Sequence, residues 1–236
     1  MDLLYLIAIL IPLIAQIYVS TSYSKFRVVK NGKGLTGLDT AKKILEANGL
    51  GDLYVVETKG KMTDHYDPTR KTVRLSTEVF HGDSVASLAI AAHECGHAIQ
   101  DKDGYFFMRL RSFIYPVVNL GTTFAYVLLI IGAILEMHNL IMLAIALYGL
   151  GLVFQLITLP VEIDASKRAL NNLNELGLTD NTDANGASRM LRAAAYTYVA
   201  GVLSSALEII RLLAIFGRDR AVSYTHLRAH ETRHDL

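Results

Sequence analysis

Four long apolar segments, at 3–19, 117–135, 140–159 and 193–216, constrain this chain most. Each approaches or exceeds the roughly 17–25 residues that a helix needs to cross a bilayer. The first also has the length of a signal peptide. However, Asp2 follows Met1, no basic stretch precedes the apolar run, and no small-residue cleavage site is evident. An uncleaved anchor is therefore expected. Only Glu136, Met137, His138 and Asn139 separate the second and third segments, which read as a tight helical hairpin. The fourth carries Glu208 and Arg211. Such charges are costly in lipid unless paired or turned inward. That segment is expected to span, with a helix lying in the interface as the alternative.

Of the 236 residues, 52% are apolar and 19% charged. That balance is too apolar for a soluble domain of this length and too charged for a pure transporter. A net charge of +1 gives no sign of a nucleic-acid partner. Cys95 is the single cysteine, which excludes an internal disulfide and a cysteine-only zinc site. The lipid bilayer is thus the first expected partner. Lys25, Arg27, Lys30, Lys33, Arg109, Arg111, Lys167 and Arg168 all fall on one side of the first three spans. By the positive-inside rule that side should be cytoplasmic. Arg218 and Arg220 would then lie outside, against the trend.

Most of the charge lies between the first two spans. Segment 36–48 reads as a helix, with Thr36 and Asp39 as a capping box, an apolar stripe of Leu38, Ala41, Ile44 and Leu45, and a stop at Gly49. Segments 53–57 and 72–75 read as strands of a small β-ribbon, with a turn at Asp67-Pro68. A helix over 85–101 follows Gly82-Asp83-Ser84. The expected fold is mainly α and multi-pass: about four transmembrane helices with a small α+β polar domain. Its parts are an anchor at 1–20, the polar domain at 21–116, a transmembrane hairpin at 117–159, a helix region at 160–192, a membrane helix at 193–221 and a tail at 222–236.

Helix 85–101 contains His93-Glu94-Cys95-Gly96-His97. Two histidines at i and i+4 share one helical face, about 6 Å apart along the axis. Both imidazoles can reach one tetrahedral Zn²⁺, and Glu94 beside them can take a proton from a zinc-activated water. The same spacing recurs at His230-Glu231-Thr232-Arg233-His234. That copy is polar all round, no ligand can follow it, and 222–236 reads as a non-native tail resembling a translated sequencing adapter. It is rejected.

A catalytic zinc keeps three protein ligands and an open position. Asp101 lies about 12 Å along the helix from His93, too far to share the ion. The hairpin of spans two and three returns the chain to the side of His97, which brings Glu162 back towards the zinc helix. Pro160 suits the first position of a new helix carrying Glu162 and Asp164. The alternative for Glu162 is a solvated first-turn acid. Asp164 can orient a ligand imidazole, or be a helix-start charge. His65 or Tyr66 can serve as the oxyanion donor, or pack as a turn on the ribbon.

The chain resembles the YugP-like membrane zinc metallopeptidases of bacteria and, more distantly, the HtpX and CAAX prenyl protease group. The resemblance covers about residues 1–221. It rests on Leu35-Thr36-Gly37, Thr63-Asp64-His65-Tyr66-Asp67-Pro68, Val73-Arg74-Leu75-Ser76, the segment from Ala91 through the His93 motif to Asp101, and Leu159-Pro160-Val161-Glu162-Ile163-Asp164-Ala165-Ser166. It implies one Zn²⁺ bound by His93, His97 and Glu162, with Glu94 as base. In the distant relatives an Asp usually lies four residues after the Glu ligand, where this chain has Ser166. The expected function is a cell-membrane zinc endopeptidase acting on peptides or membrane proteins. A non-catalytic zinc scaffold and a small transporter are the alternatives.

Overall fold

In the computed structural model, residues 2–217 are described; the second His-Glu-x-x-His copy and the tail 222–236 lie outside them. Among the described residues, four helices are long and apolar enough to cross a membrane: α1 (Asp2–Phe26), α5 (Phe106–Ile134), α6 (His138–Glu175) and α7 (Asn181–Phe216). Between α1 and α5 lie α2 (Gly37–Ala47), β1 (Tyr54–Thr58), β2 (His65–Asp67), β3 (Thr72–Ser76), α3 (Thr77–His81) and α4 (Val85–Asp103). The chain is thus mainly α with one small sheet.

The residues divide into two compact units, one of them residues 2–12, 114–155 and 201–217. Here Ile141, Ile145 and Leu212 are buried together. Large apolar side chains such as Leu120, Ile130 and Ile134 remain exposed, as befits a surface facing lipid. The α5–α6 hairpin turns through Glu136 at φ +54°, with the Met137 amide donating to the Gly132 carbonyl at 2.8 Å. Glu208 and Arg211 form a two-point ion pair of 2.8 and 2.5 Å within one turn of α7. The Arg211 guanidinium also lies 4.7 Å from the Tyr5 ring centroid. The charges that looked costly therefore neutralise each other.

The other unit comprises residues 13–113 and 156–200. Its core is built on α4. Ala41, Ile44 and Leu45 of α2, Val73 and Leu75 of β3, and Ala169 and Leu173 of α6 belong to the same buried cluster as Leu88, Ala92 and Cys95. The capping box forms as expected, the Asp39 amide donating to Thr36 Oγ1 and the Thr36 amide to the Asp39 carboxylate. Ser84 caps α4 by accepting from the Ser87 amide at 3.0 Å, and Gly104 ends it at φ +66°. Only a residue without Cβ adopts that left-handed geometry freely.

The sheet departs from the expected ribbon. β1 and β3 pair in parallel, Tyr54 opposite Thr72, and β2 pairs antiparallel on the other edge of β3. The ribbon is thus β2–β3, closed by a turn in which Asp67 accepts from the Thr69 and Arg70 amides. Three residues are too few for β2 to announce itself by alternation.

Pro160 does not start a new helix. α6 runs through it from His138 to Glu175. A proline inside a helix costs about 3 kcal/mol. Beyond it, Val161, Ala165, Ala169 and Leu173 recur every four residues and are all buried. Burial of the two larger ones alone stabilises by about 1.5–3 kcal/mol each, enough to offset the proline. Region 160–192 is accordingly not one helix: it holds the end of α6, a break at 176–180 and the start of α7.

Candidate metal centre

His93 and His97 lie one turn apart on α4, their ring centroids 4.8 Å apart. α6 crosses beside them. The crossing is close because position 96 is glycine: a Cβ there would sit 2.5 Å from the Ala165 carbonyl oxygen. The approach carries Glu162 to the imidazoles. Glu162 Oε2 is 3.3 Å from His93 Nε2 and 3.6 Å from His97 Nε2. Among the described residues, His93, His97 and Glu162 form a group whose candidate ligand atoms all lie within 4.8 Å of one another. Two atoms each about 2.0–2.1 Å from a tetrahedral Zn²⁺ stand about 3.3–3.4 Å apart, so the nitrogen–oxygen spacings fit that ion.

The surrounding hydrogen bonds fix the state of His97. The Gln100 amide nitrogen donates to the Val161 carbonyl and to Asp164 Oδ2, both at 2.8 Å. Its oxygen therefore faces His97 Nδ1, at 3.0 Å, and accepts from it. When neutral, His97 presents a bare Nε2 lone pair to the Glu162 carboxylate. Across that 3.6 Å gap a protonated Nε2 can donate to the carboxylate, and an unprotonated one can share a metal ion with it. Burial pulls the His97 pKa down, but the Glu162 hydrogen bond and the Glu94 and Glu162 charges outweigh it and raise it.

Asp164 does not touch an imidazole directly. It reaches His97 through Gln100 and is itself held by Arg168 Nε at 2.6 Å. Arg168 also binds Asp103, at 2.6 Å. Ser166, four residues after Glu162, places its hydroxyl 3.2 Å from His93 Nδ1. The Arg111 guanidinium donates to Glu162 Oε1 at 3.1 Å. Tyr198 of α7 neighbours both Glu162 and Arg111. Composition gave Arg111 only a topological role, and nothing in the sequence singled out Tyr198. Gln100, at i+3 from His97, was within reach of helical spacing.

Glu94 is 8% exposed, and burial raises its pKa. Cys95 packs under α2, its thiol pushed up by burial, consistent with an inert core residue. The oxyanion candidates on β2 have other partners. The Tyr66 hydroxyl donates to Asp101 Oδ2 at 2.6 Å, and the His65 ring meets the Thr63 carbonyl at 2.8 Å.

Residues 1–217 match a protein family described as "Putative neutral zinc metallopeptidase". The chain is 44% identical over 207 residues to "Putative membrane protease YugP" of Bacillus subtilis (strain 168), covering 87% of this chain and 92% of that protein. No solved structure matches.

Proposed function

The chain belongs to the "Putative neutral zinc metallopeptidase" family, and we propose that it is a multi-pass membrane endopeptidase holding one zinc on His93, His97 and Glu162. The observation that carries this reading is the convergence of His93 Nε2 and His97 Nε2 on Glu162 Oε2, at 3.3 and 3.6 Å, spacings that suit ligands of one tetrahedral zinc. Bound zinc supplies Lewis-acid polarisation of a carbonyl and acidifies water. Glu94 takes the proton from the attacking water at its carboxylate and passes it to the departing amine nitrogen. Gln100 and Ser166 orient the two imidazoles through their Nδ1 atoms, and Arg111 holds Glu162 by its other oxygen. Arg111 and Tyr198 border the Glu162 carboxylate and are the groups assigned to meet the oxyanion, in preference to His65 and Tyr66.

The substrates are peptides or membrane proteins, and the enzyme resides in the cell membrane with this unit facing the cytoplasm. The basic clusters flanking the first three spans support that orientation. The internal Glu208–Arg211 pair removes the main argument for a transporter.

The test is Glu94→Gln in the full chain purified in detergent. Metal analysis should find about one zinc per chain in both wild type and variant. Cleavage of a peptide and membrane-protein panel should fall by about 10²–10⁴-fold in the variant. A wild type that binds zinc yet cleaves nothing in that panel would make the site a scaffold.

A further inference from the structure

Against the metal centre, α1, α4, α7 and the loop before β2 line an open pocket of about 160 Å³. His93 and Glu94 form part of its wall. A group seated there is therefore adjacent to any carbonyl presented to Glu94. The remaining lining is mostly apolar: Val19, Ile90, Met190, Leu191 and Ala194, with Met62 at the rim. Met62 is 54% exposed and is held at φ +55°. The Asp64 carboxylate also lines the cavity. It is already engaged by the Ser76 amide at 2.7 Å and the Ser76 hydroxyl at 3.0 Å. Among the described residues no Lys or Arg lines the space, and the Asp64 and Glu94 carboxylates disfavour an acidic guest. A space of about 150 Å³ is large enough for a benzene-sized guest.

We propose that this cavity is a specificity pocket for a large apolar side chain, of the Leu, Met or Phe class, on the substrate residue adjoining the scissile bond. The proposal rests on the peptidase reading and deepens it. Ala194 sets the depth, because its methyl group leaves the space that a larger residue would fill. Ile90, one turn before Glu94 on α4, sets the width.

The test separates binding from cleavage. Zinc-loaded Glu94→Gln protein is titrated with labelled peptides identical except for one central Leu, Phe, Gly or Asp. Leu and Phe peptides should bind at least about tenfold more tightly than Gly, with Asp weakest, in line with the discrimination that hydrophobic pockets achieve. Adding Ala194→Phe should bring Leu and Gly to within about twofold while zinc content is unchanged. Equal binding of Leu and Gly before that change overturns the proposal. So does full discrimination in a zinc-retaining Ala194→Phe protein. If Ala194→Phe loses its zinc, Ile90→Ala decides: preference should move from Leu towards Phe, and an unchanged order overturns the pocket. The same peptides are then given to protein with Glu94 intact. Discrimination without cleavage sinks the peptidase reading and leaves the pocket, whereas cleavage without side-chain preference does the reverse.

Discussion

At Glu162 the two carboxylate oxygens have separate partners. Oε2 faces the histidines, and Oε1 accepts from Arg111 at 3.1 Å. A guanidinium held on one oxygen leaves the other free to bind a metal singly and fixes its direction. Arg111→Ala should weaken zinc binding by about 10–100-fold, the usual effect of losing a group that orients a ligand. Competition with a chromophoric chelator reads this directly. Unchanged affinity would reduce Arg111 to a surface charge near the site. Gln100 makes a parallel case. Its amide is locked by a carbonyl and a carboxylate, so its oxygen specifies which His97 nitrogen carries the proton.

The decisive contact between elements is α4 against α6. Gly96 lets the Ala165 carbonyl approach to where a Cβ would be 2.5 Å away. Gly96→Ala must push α6 back, and Glu162 moves with it. Overpacking of this kind costs about 1–3 kcal/mol, so melting temperature and zinc affinity should fall together. Gly104→Ala is the matched control. Its φ of +66° makes alanine cost about 1–2 kcal/mol, with no effect on zinc because it lies beyond the site at the end of α4. If both variants lose zinc equally, general destabilisation rather than helix approach is responsible. The run of α6 through Pro160 belongs to this scale too, since a buried four-residue stripe beyond the proline keeps the helix intact.

For the whole molecule, zinc would tie α4 to α6 across more than sixty residues of sequence, so its removal should be felt globally. At a free zinc concentration of about 100 times the dissociation constant, binding only the folded form stabilises by about 2.7 kcal/mol. Stripping with a chelator should lower the unfolding midpoint, and zinc, but not magnesium, should restore it. Glu208→Ala acts through a different term. It leaves Arg211 with the Tyr5 ring but no counter-charge in an apolar helix. An unpaired charge at a helix centre costs about 2.5–3.5 kcal/mol. Stability in bilayers should fall by part of that amount, while Glu208→Ala with Arg211→Leu should recover it. Recovery failing in the double variant would give Glu208 a role beyond charge balance.

Whatever depends on spacing within one segment was legible in the order of residues. Four apolar runs were long enough to span, Thr36 with Asp39 made a capping box, and two histidines four residues apart shared a helix face. Glu162 was legible only because two spans return the chain to its starting side and because its surroundings matched a family. The tertiary structure alone decided the partners of these groups. It put Ser166 and Gln100, rather than Asp164, on the imidazoles, gave Tyr66 to Asp101, set β1 parallel to β3, and brought Arg111 and Tyr198 to Glu162. The reason is physical: periodicity fixes which side of an element a residue occupies, whereas the neighbour it meets depends on how closely two backbones approach, and at α4 and α6 that distance was set by the missing Cβ of Gly96.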